Sequence, residues 1–280
     1  MSAAFEHIVM HVQNDVAHII LSRPDKLNAI ADQTREEIGA ALTAASEDAG
    51  IGCVLIRGEG RAFCAGGDLG GAGAAAITLE DNQRLNERIM AFNATIRGVQ
   101  KPVIAAVHGL CLGTAMGFVA QCDFVITADD TRFGLIEGRI GHPGATDLVP
   151  VIGVAWTKYL IYTGEMIDAA RAEKIGLVLT VEPAAQLLSR ATDLAERLAR
   201  MPREALGLNK AAIEAVLETS GRAAGRIAGR ERDAITKTRA SEARAPDGRT
   251  FEDILRDEGM SGMKTARGLQ YSENWLLKLR

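Results

Sequence analysis

Glu137 sits in unusual company for an acid. It falls in the run RFGLIEGRIG, among Phe133, Leu135, Ile136 and Ile140. Apolar neighbours of this kind desolvate a carboxylate and raise its pKa, so the group could exchange protons near neutrality. The plainer alternative is a surface acid or an ion-pair partner of Arg139. Two glycine bends offer a second resource, backbone N–H groups. In KPVIAAVHGLCLGTAMGFVAQCD, Pro102 marks the start of a short buried strand, Val103 to Val107. Gly109 and Gly113 frame a bend, and a small, apolar helix is predicted from Thr114 to Gln121. The first turn of such a helix leaves N–H groups without partners and favours a phosphate, a carboxylate or a developing oxyanion. The earlier run RAFCAGGD carries Gly66 and Gly67, where the chain can approach a ligand without an intervening Cβ. Taken alone, these glycines could equally serve tight turns.

Strands and helices must hold these pieces. Residues 5–12 and 16–21 read as two strands joined at Asn14-Asp15, a pair suited to a tight hairpin. Thr34 and Glu37 have capping-box spacing and open a helix presenting Ile38, Ala41, Leu42 and Ala45 to a core. Cys53 to Arg57, Phe124 to Thr127 and Leu177 to Val181 read as further strands. Leu69 to Ile77 is rich in glycine and alanine and is predicted to be mobile beside the site. Thr78 and Asp81 cap a helix whose Leu85, Ile89, Phe92, Ile96 and Val99 form one core-facing stripe. Strands alternating with helices imply α/β crossovers. From Pro183 the strand signal ends. Helices are predicted from Glu182-Pro183 to about Arg200, from Pro202 onward through 203–243, and after a cap at Thr250 and Asp253. The apolar tail with Tyr271, Trp275, Leu276, Leu277 and Leu279 is expected to be buried, against a neighbouring subunit.

The chain has 280 residues, 47% of them apolar and 24% charged, which suits a globular protein of one large domain or a domain with an appendage. A net charge of −4 gives no sign of a nucleic-acid or membrane surface. Cys53, Cys64, Cys111 and Cys122 form no CxxC pair and lie in apolar runs, as buried thiols in a reducing compartment would. His7, His11 and His18 fall on the first hairpin without metal-ligand spacing, so no metal site is predicted, and no flavin or nicotinamide motif appears. No secretory signal or bilayer-length apolar run is read, and a cytoplasmic location is expected.

Three motifs in order, RAFCAGGD, KPVIAAVHGLCLG and RFGLIEGRIGHPGA, resemble the crotonase superfamily, the enoyl-CoA hydratase/isomerase family, over most of the chain from about Phe5. The resemblance implies an α/β fold, a crotonase-like spiral of ββα units over 1–182, with a C-terminal helical region over 183–280 that packs subunits into homotrimers or hexamers. It implies an acyl-CoA thioester as substrate, with coenzyme A entering as part of it and no permanently bound cofactor. By position, the Gly67 and Thr114 N–H groups would form the oxyanion hole and Glu137 would carry the proton. Two fixed donors in a dry cleft stabilise an enolate oxygen by roughly 3 kcal/mol each. Thr114 replaces the usual glycine and adds a Cβ that could narrow the hole. Lys26 would meet the CoA phosphates, with backbone around Ala62 and Ala65 at the adenine and Gly66, Asp68 and Gly113 shaping the binding bends. Asp68 is expected to tie its own loop, and His108 to brace its bend.

The departures bear on the reaction. Hydratases of this family carry a further glutamate on the central helix, and its position here is Gly117. The family's longer glycine-rich loop ending in a TQ pair is here Ala145-Thr146-Asp147. One carboxylate can move a proton between two carbons, so double-bond isomerisation is the expected reaction. Hydration would need Asp147 or His142 as a replacement acid, although Asp147 is also suited to capping the next helix. A third possibility is an acyl-CoA-binding protein without turnover.

Overall fold

The structure, a computed structural model, describes residues 5–68, 78–269 and 275–276. Its strands are β1 (Ile8–Gln13), β2 (Val16–Leu21), β3 (Cys53–Gly58), β4 (Val103–Val107), β5 (Leu110–Leu112), β6 (Phe124–Ala128), β7 (Arg132–Gly134), β8 (Met166–Asp168) and β9 (Thr180–Glu182). Its helices are α1 (Asp32–Glu47), α2 (Leu79–Gly98), α3 (Thr114–Val119), α4 (Val149–Thr163), α5 (Ala169–Lys174), α6 (Leu187–Ala199), α7 (Arg203–Leu217), α8 (Ala223–Arg239) and α9 (Phe251–Leu269).

Six strands form the main sheet in the order β1-β2-β3-β4-β6-β9. β1 and β2 are antiparallel, and Asn14 and Asp15 between them both take positive φ, as the predicted hairpin turn requires. The remaining neighbours are parallel. The apolar strands follow from coverage on both faces. Val54 and Ile56 of β3 and Val103, Ala105 and Val107 of β4 join one core with α1. The alternate residues, Cys53, Leu55, Ile104 and Ala106, join a second core sealed by Leu187, Ala191, Ala195 and Ala199 of α6. The start of the C-terminal region therefore completes the sheet's packing.

Several boundaries differ from expectation. α1 begins at Asp32, so Thr34 lies inside its first turn and takes the Ala31 N–H at 3.3 Å. Glu37 accepts the N–H groups of Glu6 and His7 instead of closing a box. The helix after Pro183 starts at Leu187, and the strand predicted over 177–181 lies at Thr180–Glu182. His18 is buried and stacks on His11 with ring centroids 4.8 Å apart. β5, β7 and β8 form a second, three-stranded sheet. A kink at Gly221, with φ 110°, separates α7 from α8. In the tail, the Trp275 N–H bonds Glu165 Oε1 at 3.0 Å and Leu276 packs against the main core of its own chain. The rest of that tail, and the stretch predicted mobile over Leu69 to Ile77, lie outside the described residues.

Candidate active site

The two glycine bends converge. β4 leads through Gly109 and β5 to Gly113, both with positive φ, and α3 begins at Thr114. A Cβ on Gly109 would fall 2.2 Å from the Arg61 carbonyl oxygen, so the second bend packs directly on the start of RAFCAGGD. Backbone pairing between Cys64 and Leu110 to Leu112 fixes the register, and the His108 ring meets the Gly60 carbonyl at 2.9 Å, bracing the bend as expected. At the first bend, Ile30 donates to the Gly66 carbonyl at 2.8 Å and receives the Asp68 N–H at 3.0 Å. Ile30 engages the positions on either side of Gly67, so the Gly67 N–H is turned away from Ile30. A Cβ on Gly67 would stand 3.4 Å from Thr114 Oγ1, so the threonine side chain borders the gap between the bends. α3 has six residues, shorter than predicted, and contributes local N–H groups more than a long helix dipole.

Glu137 comes to this junction from a short turn of 3-10 helix, Ile136–Ile140, that follows β7. β7 pairs with β5, and the Gly113 N–H bonds the Gly134 carbonyl at 2.8 Å, so the acid is hung from the same bend. A Cβ on Gly113 would fall 1.5 Å from Glu137 Oε1: the glycine is what leaves room for the carboxylate. The residue as a whole keeps partial exposure, but Oε2 is buried and has no hydrogen-bond partner. Burial raises the carboxyl pKa above the ordinary glutamate value, opposed by its own N–H, by the Thr114 N–H facing it and, more weakly, by Arg267 of α9. The nearby cation is thus Arg267, while Arg139 gives its Nε–H to the Thr163 carbonyl at 3.2 Å.

A cavity of about 190 Å³ opens beside Glu137, and Gly113, Thr114, Gly117, His142 and Asp147 all line it. A Cβ on Gly117 would meet only Ala145 Cβ, at 3.5 Å, so the position holds space where the family's central-helix glutamate would project. Asp147 does not cap a helix. Leu148 holds the cap position of α4 without a side-chain bond, and Asp147 Oδ2 accepts from Asn93 at 3.3 Å and Gln121 at 3.4 Å. His142 is held toward its neutral form by burial and by Lys237. The apolar stripe predicted for α2 is only partly core: Phe92, Ile96 and Val99 are buried, but Ile89 lines the cavity.

Sequence reasoning missed one wall. Arg226, Gly229, Asp233 and Lys237, at helical spacing on α8, face the cavity across from buried asparagines of α2. Asn82 bonds Thr238 at 3.1 Å and Asn86 accepts from Lys237 Nζ at 2.7 Å. Burial pushes the Asp233 carboxyl up to about 6, with Lys237 opposing, and lowers the Lys237 ammonium. The spacing was available as a signal but is one of several polar stripes in an arginine-rich helix.

Of the residues expected to bind the substrate or coenzyme, Gly113 lines this cavity, while Lys26, Ala62, Ala65, Gly66 and Asp68 lie outside its lining around the first bend, as does Gly67. Lys26 is exposed on a 3-10 turn, Pro24–Lys26. Asn28, with φ 55°, gives its amide to the Glu59 and Ala62 carbonyls, both at 2.8 Å, and the Ala65 N–H bonds the Leu27 carbonyl at 3.0 Å. Asp68 pairs with Arg23 at 2.8 Å, tying its loop to the Lys26 turn as expected.

The two glycine bends and the acid on the turn after β7 thus meet beside one cavity. The family model described as enoyl-CoA hydratase/isomerase matches residues 11–249, and the chain belongs to that family. It is 34% identical over 220 residues to a probable enoyl-CoA hydratase of Mycobacterium bovis, covering 77% of this chain and 84% of that protein. It is 33% identical over 244 residues to the 2,3-dehydroadipyl-CoA hydratase of Escherichia coli, covering 85% and 92%. An enoyl-CoA hydratase/isomerase structure from Xanthobacter autotrophicus superposes with a TM-score of 0.86 at 29% identity, covering 96% and 99%. Among the described residues no helix is long and apolar enough to cross a membrane.

Proposed function

We propose that the protein isomerises the double bond of an enoyl-CoA thioester, with coenzyme A entering only as part of the substrate. The Gly67 and Thr114 N–H groups receive the thioester oxygen. Glu137 removes a proton from the carbon on one side of the double bond and returns it two carbons away. Charge develops on the thioester oxygen, and each fixed donor lowers that barrier by roughly 3 kcal/mol. When the oxygen takes the Thr114 N–H, the carboxylate loses a group that stabilises its charged form, and its basicity rises as the proton must be taken. One observation carries the choice of reaction: the cavity lining beside Glu137 has a glycine, Gly117, where a second, water-holding carboxylate would stand. A cytoplasmic location and a trimeric or hexameric assembly belong to the same reading.

Hydration is the second reading, favoured by the names of the relatives. It requires Asp147 or His142 to hold water. Two amides already engage Asp147, and His142 is biased to neutrality. Binding without turnover would leave the buried, unpartnered Oε2 of Glu137 without a use. Incubating a 3-enoyl-CoA in deuterated water and following it by NMR separates the three. The expected result is the 2-enoyl isomer with deuterium in the chain and no 3-hydroxyacyl product. A parallel incubation of a 2-enoyl-CoA completes the test: accumulation of the 3-hydroxyacyl thioester there, with the 3-enoyl-CoA unchanged, would replace isomerisation by hydration, and both thioesters unchanged and unlabelled would leave only binding.

A further inference from the structure

Ile89, Met90 and Phe92 of α2 suit a hydrocarbon chain, but Asn86 and the α8 residues Arg226, Asp233 and Lys237, which line the same cavity, do not. Lys237 Nζ reaches Asn86 at 2.7 Å, and two further charges act on it, Asp233 and the cation Arg35 of α1. Arg35 also lines the cavity, gives one amino group to Asp32, and has a buried Nε–H without an acceptor. Asp147 draws amide donors from Asn93 and Gln121 and lies near Arg97, and Arg226 pairs with Glu218 at 2.5 Å. Counting Asp32, which Arg35 shares with Arg88, the cations Lys237, Arg35 and Arg88 face the carboxylates Asp233 and Asp32, and the Arg35 Nε–H is left without an acceptor. Gly229, in the middle of the α8 stripe, leaves the cavity open, since a Cβ there would meet only Thr146 Oγ1 at 3.8 Å. A methyl-ended acyl chain pushed against this wall would displace water from these groups and offer nothing in return, which is costly for charged donors. The charged group acting on Glu137 is Arg267, which is not one of these wall residues.

We propose that Lys237 and Arg35 bind a carboxylate at the far end of the acyl group, so that the substrate is a CoA thioester of a dicarboxylic acid. The proposal rests on the reading that the cavity holds the acyl part of a CoA thioester, but not on which reaction follows. Asp233 then acts as the counter-charge that keeps Lys237 from binding anions indiscriminately, and it makes the preference depend on a second anion of matched length.

Calorimetric titration of the full-length protein with two saturated acyl-CoA thioesters of equal chain length, one ending in methyl and one in carboxylate, tests this without turnover. The carboxylate-ended thioester is expected to bind about tenfold tighter, the order of a charged hydrogen bond. Lys237→Met should bring the ratio close to one, and Lys237→Arg, which keeps the charge, should retain the preference. Should Lys237→Met fail to fold, Arg35→Met is the second variant, expected to cut the ratio as well. Equal or tighter binding of the methyl-ended thioester, or a ratio untouched by both variants, would overturn the proposal. Failure of both thioesters to bind would overturn it together with the acyl-CoA reading beneath it. Tight, unselective binding would remove the proposal alone.

Discussion

The cavity has a wall formed by Gly113, Thr114 and one acid, Glu137, and a wall of charged and amide side chains carried by α1, α2 and α8. The first is hung from paired strands: β5 and β7 fix the bend and the acid to each other through backbone bonds. The second is assembled from helices distant in sequence, with Asn86 meeting Lys237 across 151 positions. On the proposed reading, the proton transfer sits on the sheet's loops, while the groups proposed to select the acyl chain sit on helices, where side chains can be exchanged without moving the loop backbone. If that division holds, substitutions at the first wall should change rate and those at the second should change preference.

The largest effect is expected at Glu137. Glu137→Gln keeps the shape and removes the base, and turnover should fall by about 10³–10⁴-fold with acyl-CoA affinity retained. Because burial raises this carboxyl, wild-type kcat/KM should fall on acidification with a midpoint above the ordinary glutamate value. The ionised form is the active one, so activity is gained as pH rises through that midpoint. A rate that is flat down to the ordinary glutamate range would contradict the burial argument. Gly113→Ala comes next: at φ 55° and with a Cβ 1.5 Å from Glu137 Oε1, the acid must be pushed aside. Steady-state kinetics should show about 10²-fold loss, and thermal melts a destabilisation of about 1–2 kcal/mol.

Gly117→Glu sharpens the comparison by adding function to the first wall. The Cβ has room, with Ala145 at 3.5 Å, and the new carboxylate would supply the missing water holder. A rise of about tenfold in 3-hydroxyacyl-CoA formed from a 2-enoyl-CoA is expected, read by chromatography of the products. The smallest effect is expected for Thr114→Gly. The donor is the backbone, so kcat should stay within about threefold of wild type. A large loss would show that the threonine side chain itself takes part.

Much of the first wall was legible because its signals are local. An acid within an apolar run, and glycines placed where only a positive φ continues the chain, can be read from a few residues. The alternation of Val54, Ile56 and Leu55 between two cores likewise follows from an apolar strand that needs cover on both faces. The second wall was not legible, because nothing near Asp233 or Lys237 announces that α8 will lie along α2. The polar stripe on α2, with Asn82, Asn86 and Asn93 buried, makes sense only once α8 is present. Asp147 was misjudged for a related reason. Its local context suits a helix cap, but Asn93 and Gln121, both far in sequence, win its carboxylate. The three-residue strands β5, β7 and β8 were too short for any periodic signal.

A crystal structure with a non-reactive acyl-CoA thioester tests the central claim most directly. The account predicts the thioester oxygen within about 3 Å of both the Gly67 and Thr114 nitrogens, with the Glu137 carboxylate withdrawn from the Thr114 N–H and facing the carbon next to the thioester. A thioester oxygen bound by water or by a side chain, with Glu137 still resting on Gly113, would contradict it.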